Sequence, residues 1–165
     1  MDQAHVVWTT DREGFNNGEL DLIRLTNLST HKGDGSSIDS CLSGTFYNSD
    51  QSGHGVMLQV LGEASESMVV TWFVHHQGQQ FWLIGNGLNK GESSQMSAFY
   101  TMGSDFPPNF DPNQNAAIEW GHLTVEKQDN NTIELNWAPN DDHSDFGSGS
   151  IQMQRLTQIK GLECD

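Results

Sequence analysis

The segment Gly149-Ser-Ile-Gln-Met-Gln-Arg155-Leu-Thr157-Gln-Ile159 recurs in pattern near the other end of the chain as Gly18-Glu-Leu-Asp-Leu-Ile-Arg24-Leu-Thr26-Asn-Leu28. The match runs upstream: Phe15 and Phe146 each stand nine residues before the shared arginine, and Trp8 and Trp137 each belong to the preceding apolar strand. A repeat of this kind marks a modular architecture in which each copy is one supersecondary unit. Residues 1–28 therefore read as the closing β-hairpin of one module, and residues 41–165 as a complete second module that ends in the same hairpin. Residues 29–40, rich in Ser, Gly and Asp, read as a flexible linker between them. The expected whole is a piece of a tandem array.

From Cys41 onward, short alternating or apolar runs are separated by Gly, Asn, Asp and Ser, the pattern of consecutive antiparallel strands. Eight are predicted, over about 42–47, 55–61, 68–75, 80–86, 95–102, 121–128, 132–138 and 150–157. The breaks carry turn chemistry at Asn48–Gly53, Gln77-Gly78, Asn86-Gly87 with Lys90-Gly91, and Asp129–Asn131. Ser93–Phe99 and Asn113–Glu119 each have room for a turn of helix. Three of the four prolines fall between Gly103 and Ile118, where Pro107-Pro108 and Asp111-Pro112 preclude regular pairing, so an ordered loop or lid is expected there. Eight strands joined in sequence suit an antiparallel up-and-down β-barrel, whose closure removes exposed edges; a two-sheet β-sandwich is the alternative. The all-β module would then carry an extra N-terminal hairpin. Its Val6, Val7, Trp8, Leu20, Leu22, Ile23 and Leu25 need a surface to cover. That surface is expected to be an edge of the module's sheet or the place of a neighbouring module's closing hairpin, which would make the hairpin a route to self-association.

Composition narrows the partners. Among 165 residues, 22 acids against 7 Lys and Arg give a formal charge of −15, which repels nucleic-acid backbones and anionic membranes. No apolar run approaches the ~18 residues of a membrane-spanning helix, and the Met1-Asp-Gln-Ala start lacks the pattern of a signal peptide. The two cysteines, Cys41 and Cys164, bracket the module, a placement that suits a disulfide closing it in an oxidising compartment. Secretion, the periplasm or the cell envelope is the expected location.

Candidate functional residues are mostly aromatic. Tyr47, Trp72, Phe73, Trp82, Tyr100, Trp120 and Trp137 form the set, and within Trp72-Phe73 and Phe81-Trp82 the neighbours must point to opposite faces of a strand. Tyr and Trp offer a broad apolar face with a polar tip, suited to a sugar ring or a small apolar ligand. Tyr47, Trp72, Trp82, Trp120 and Trp137 are the candidate ligand contacts. The loop Asn140-Asp141-Asp142-His-Ser-Asp145 is rich in oxygen, and Asp141, Asp142 and Asp145 are candidate calcium ligands, although Asp and Asn are also ordinary turn residues. The seven histidines lack zinc spacing, since adjacent His75 and His76 diverge across a strand. Gly147-Ser148-Gly149 is too short for a nucleophile elbow, Gly85-x-Gly87 lacks the spacing of a dinucleotide loop, and no carboxylate pair stands out. No catalytic residue is assigned, and the function expected is a non-catalytic binding module for a glycan or small apolar ligand. A structural or assembly repeat with no small-molecule ligand is the alternative.

Two resemblances bear on this reading. The strands holding Ser43-Gly44-Thr45-Phe46-Tyr47 and Gln152-Met153-Gln154-Arg155-Leu156 resemble the calycin arrangement of lipocalin- and avidin-type barrels, in which an arginine from the last strand packs over an aromatic ring of the first. Phe46 here takes the place of the usual Trp, and Phe46 with Arg155 are the barrel-closing pair that the resemblance implies. The string Cys41-x-Ser-Gly44-x-Phe-Tyr47, with Trp72-Phe, Trp82-Leu-x-Gly85, Phe110-Asp-Pro112, Trp120-Gly121 and Arg155-Leu-Thr157-x₃-Gly161-x₂-Cys164, is similar to exported bacterial β-domains of unknown function. That resemblance implies export, a disulfide and a repeated β module, and carries no activity.

Overall fold

The computed structural model describes residues 2–107 and 109–164; Met1, Asp165 and Pro108, one of the prolines expected to break pairing, lie outside them. The chain divides into two compact units, Met1–Asn27 with Thr101–Ile118, and Leu28–Tyr100 with Glu119–Asp165.

Eight antiparallel strands, lying in the larger unit except for the last two residues of β7 and the first three of β8, form a closed ring: β3 (Gly44–Tyr47), β4 (Gly55–Leu61), β5 (Ser67–His76), β6 (Gln79–Lys90), β7 (Ser93–Met102), β8 (Ala116–Lys127), β9 (Thr132–Pro139) and β10 (Gly149–Gln158). Each pairs with its sequence neighbour, and β10 returns to β3, so the sheet has no free edge. The period-two pattern sends alternate residues inward. Met68, Val70, Trp72 and Val74 of β5 meet Leu123 and Val125 of β8, Ile133 and Leu135 of β9, and Ile151 and Met153 of β10 in one apolar core. Burial of each such side chain contributes about 1.5–3 kcal/mol.

Two boundaries differ from the sequence reading. β6 runs through Asn86-Gly87 and turns only at Gly91-Glu92, because its pairing with β7 continues to Lys90↔Ser93. Gly85 makes room for Met96 from the next strand, whose Sδ would stand 3.3 Å from a Cβ there. Ser93–Phe99 is accordingly strand rather than helix, while a single 3-10 turn does occupy Pro112–Gln114, capped by the Asp111 carboxylate.

The expected linker is a plug. Ser29, Ile38, Asp39 and Ser40 are buried, and Leu42 is fully enclosed. Ser29 N donates to Val60 O and Ile38 N to Gly91 O, each at 2.8 Å, so the segment seals one end of the ring. The Asp39 carboxylate accepts from Cys41 N at 2.9 Å and Gly33 N at 2.8 Å. Lys127, inward-facing and buried, donates Nζ to Ser37 O at 2.8 Å and Gly35 O at 3.0 Å. A polar composition suggested mobility, but one isoleucine and one lysine give the segment a seat. At the same end Cys41 and Cys164 form a disulfide-distance pair, with Cα atoms 5.6 Å apart.

The seam between β10 and β3 places Arg155 opposite Phe46, with the guanidinium carbon 4.6 Å from the ring centroid. Arg155 also donates to Cys41 O at 2.8 Å, Asn130 O at 2.9 Å and Ser43 O at 3.1 Å. Burial lowers its pKa and Asp129 works against that.

In the smaller unit, among the described residues, β1 (Gln3–Trp8) and β2 (Gly18–Ile23) pair with each other as a separate two-stranded sheet. Edge augmentation of the module's own sheet, one of the two roles expected for the hairpin, therefore does not occur, because a closed ring offers no edge. Trp8 and Phe15 pack edge-on against Phe106, at 5.6 and 5.0 Å between ring centroids.

Candidate functional site

The end of the ring opposite the plug is a mouth, and its local geometry begins with a slip in β8. Trp120 and Gly121 are both buried, after which Leu123, Val125 and Lys127 resume strict alternation. Gly121 permits the slip because it sits at φ +153°, where a Cβ would stand 2.6 Å from Pro139 Cα. The strand thereby turns the Trp120 indole into the core.

Trp120 meets Trp72 of β5 edge-on at 6.3 Å, and Trp72 meets Trp137 of β9 at 5.2 Å. Phe146 closes against Trp120 at 5.4 Å from the loop between β9 and β10. Together with His54 and His75 these rings line a cavity of about 140 Å³. The Trp137 N–H is already engaged, donating to Gly147 O at 2.9 Å. The N–H groups of Trp72 and Trp120 are not: both indoles are buried and neither Nε1 has a hydrogen-bond partner. An indole N–H can only donate, and leaving one buried and unanswered costs about 1–3 kcal/mol.

The loop over the mouth is fixed by polar contacts. His76 stacks on Phe146 at 3.7 Å and its Nε2 lies 2.9 Å from Asp145 Oδ2, which also accepts from Gln77 Nε2 at 3.3 Å. His143 Nε2 lies 3.1 Å from Tyr100 Oη, and its Nδ1 lies 2.7 Å from Asn140 Oδ1. At the rim the His54 and His75 rings are 5.7 Å apart, and burial, then the charge of His75, holds the His54 pKa below its ordinary value.

The five aromatic candidates thus fall into two places. Trp72, Trp120 and Trp137 converge on the mouth, while Tyr47 and Trp82 lie on the outer face. There the register runs Tyr47↔Gly55↔Phe73↔Trp82 across β3 to β6, with Phe73 and Trp82 exposed. Phe73 completes this outer row. Phe146, His54 and His75 complete the inner site; the sequence weighs the histidines only as zinc ligands and does not offer Phe146 as a ligand contact. Phe146 did carry a signal, because it is one of the repeat's marker residues.

The candidate calcium loop has a different arrangement from the one expected. Asp145 is taken up by His76 and Gln77, Asp141 and Asp142 belong to the 3-10 turns of Asp141–Phe146, and among the described residues no group of three His, Cys, Asp or Glu is placed to hold a metal. No protein-family model, curated protein or solved structure matches the chain.

Proposed function

We propose that the closed sheet is a calycin-like, up-and-down barrel serving as a non-catalytic binding module, and that its mouth takes a small apolar molecule bearing hydrogen-bond acceptors. The observation that carries the reading is that Trp72 and Trp120, whose buried N–H groups are unanswered, both line one cavity. A ligand oxygen that reaches either N–H would replace an unmet donor with a hydrogen bond. Size narrows the ligand further, since an apolar cavity of about 150 Å³ accommodates benzene. A cavity of about 140 Å³ therefore suits a single ring rather than a sugar chain. The Arg155–Phe46 contact supports the calycin-like part of the reading.

An extracellular or envelope location is compatible with the Cys41–Cys164 pair. No helix among the described residues is long and apolar enough to cross a membrane.

The glycan form of the reading would use the outer row instead, where Tyr47, Phe73 and Trp82 offer flat faces. Thermal-shift measurements with single-ring ketones, fatty acids and oligosaccharides separate the two. A ketone at 100-fold over its Kd should add about 2.7 kcal/mol of stability, undiminished by Trp82→Ala. A response to oligosaccharides alone, abolished by Trp82→Ala, would transfer the site to the outer face. Silence across the panel would favour a structural repeat without a small-molecule ligand.

A further inference from the structure

β1 and β2 repeat β9 and β10 in geometry as closely as in sequence. Trp8 pairs with Gly18 as Trp137 pairs with Gly149, and the ladders stay in step, with Val6↔Leu20 matching Leu135↔Ile151 and Ala4↔Leu22 matching Ile133↔Met153. In both hairpins the indole lies across the facing glycine: a Cβ on Gly18 would stand 2.5 Å from Trp8 Cζ2, and one on Gly149 2.7 Å from Trp137 Cζ2. Both indoles donate to the carbonyl just after the marker phenylalanine, Trp8 to Asn16 O at 2.6 Å and Trp137 to Gly147 O at 2.9 Å. Beyond the strands, Arg24 N donates to Asp2 O at 2.7 Å where Arg155 N donates to Asn131 O at 2.8 Å. Even the side chains agree, since Arg24 Nε faces Asp2 Oδ1 at 3.4 Å and Arg155 Nε faces Asn131 Oδ1 at 3.1 Å.

Burial is where they part. Ile133, Leu135 and Met153 are fully enclosed, whereas Val6, Leu20 and Leu22 are 41%, 42% and 43% exposed. The residues on the outer face of β9–β10, Glu134, Asn136 and Gln152, correspond to His5, Val7 and Asp21. Val7 and Ile23 depart from the polar pattern of that face. The other face of β1–β2 keeps an apolar residue at every position that β9–β10 buries.

We infer that β1–β2 is a donor hairpin whose partner is a second copy of this module, opened between β8 and β3, and that it closes that copy by taking the place of β9–β10. The matched ladder would set Val6, Leu20 and Leu22 on the core side and bring Arg24 to the partner's Phe46 position. Ala4 in place of Ile133 makes the donated hairpin the weaker closure, so a copy that retains its own β9–β10 would keep it. This concerns assembly and does not rest on the binding proposed for the mouth, although the donated Trp8 and Phe15 would stand where Trp137 and Phe146 line that cavity.

The first test is a chimera of the full chain in which residues 131–157 are replaced by a second copy of residues 2–26. It should form the disulfide and melt cooperatively at a temperature below that of the parent, and Leu20→Asp with Leu22→Asp in the inserted copy should abolish the transition. A chimera without a cooperative transition, or one indifferent to the aspartates, overturns the inference. The second test is the full chain carrying Leu135→Asp and Met153→Asp, which disables its own closure. Sedimentation should show a discrete dimer or closed oligomer that is lost when Val6→Asp and Leu22→Asp are added. Absence of any discrete oligomer, or its persistence after that addition, counts against the inference.

Discussion

At the plugged end of the ring the Lys127 ammonium finds the carbonyls of Gly35 and Ser37, the Asp39 carboxylate finds two backbone N–H groups, and Arg155 finds the carbonyls of Cys41, Ser43 and Asn130. At the mouth the buried N–H groups of Trp72 and Trp120 find nothing. Small neutral groups are left over near the plug as well, Ser40 Oγ and Asn89 Oδ1, where Ile38 and Leu42 of the segment pack into the core. The mouth combines unmet donors with a cavity. Buried polarity answered by the chain itself holds the fold closed, whereas buried polarity beside unfilled volume marks where another molecule can supply the answer.

The largest effect that separates the two ends is expected at the disulfide. Cys41→Ser should lower unfolding stability by about 2–5 kcal/mol, read by denaturant titration, while leaving ligand response at the mouth intact. If stability and ligand response vanish together in a variant that still folds, the two ends are not separable. Next comes Lys127→Met, which keeps a stem in the core but strands the carbonyls of Gly35 and Ser37, at a cost of about 1–3 kcal/mol. An unchanged denaturation midpoint would mean the plug does not depend on that ammonium.

The smallest effect is a pH dependence at the mouth. The His54 pKa is lowered in the folded chain from 6.5, so the unfolded chain binds that proton more readily. Stability then rises with pH as the folded pKa is passed, reaches its full value above 6.5, and falls on acidification below it. His54→Asn should flatten that part of the melting-temperature profile. An equally steep profile in the variant would assign the dependence to other groups.

Much of this architecture is legible in the sequence because the signals are local. Alternation gives the strands, and the Trp–Gly–Arg spacing gives both hairpins, since the indole over the facing glycine is settled within the hairpin itself. What was not legible depends on distant partners. Asn86-Gly87 resembles a turn until the pairing with β7 holds it extended, and the polar segment 29–40 resembles a tether until Ile38 enters the core and Lys127 holds the carbonyls of Gly35 and Ser37. The aromatic site was half visible. Parity along a strand separates Trp72 from Phe73, but the slip at Trp120-Gly121 that turns Trp120 inward cannot be read by counting. Nor does the sequence reveal that Asp145, offered as a calcium ligand, is held by His76 and Gln77.

The five tryptophans give five indole N–H resonances, and their ¹H–¹⁵N spectrum during a titration with cyclohexanone, a single ring with one acceptor, reports on the mouth directly. Binding at the mouth predicts that the Trp72 and Trp120 signals, assigned by Trp→Phe variants, move downfield and saturate together, while those of Trp8, Trp82 and the already bonded Trp137 stay in place. Stationary Trp72 and Trp120 signals through saturating ketone, or a response confined to Trp82, would contradict the account.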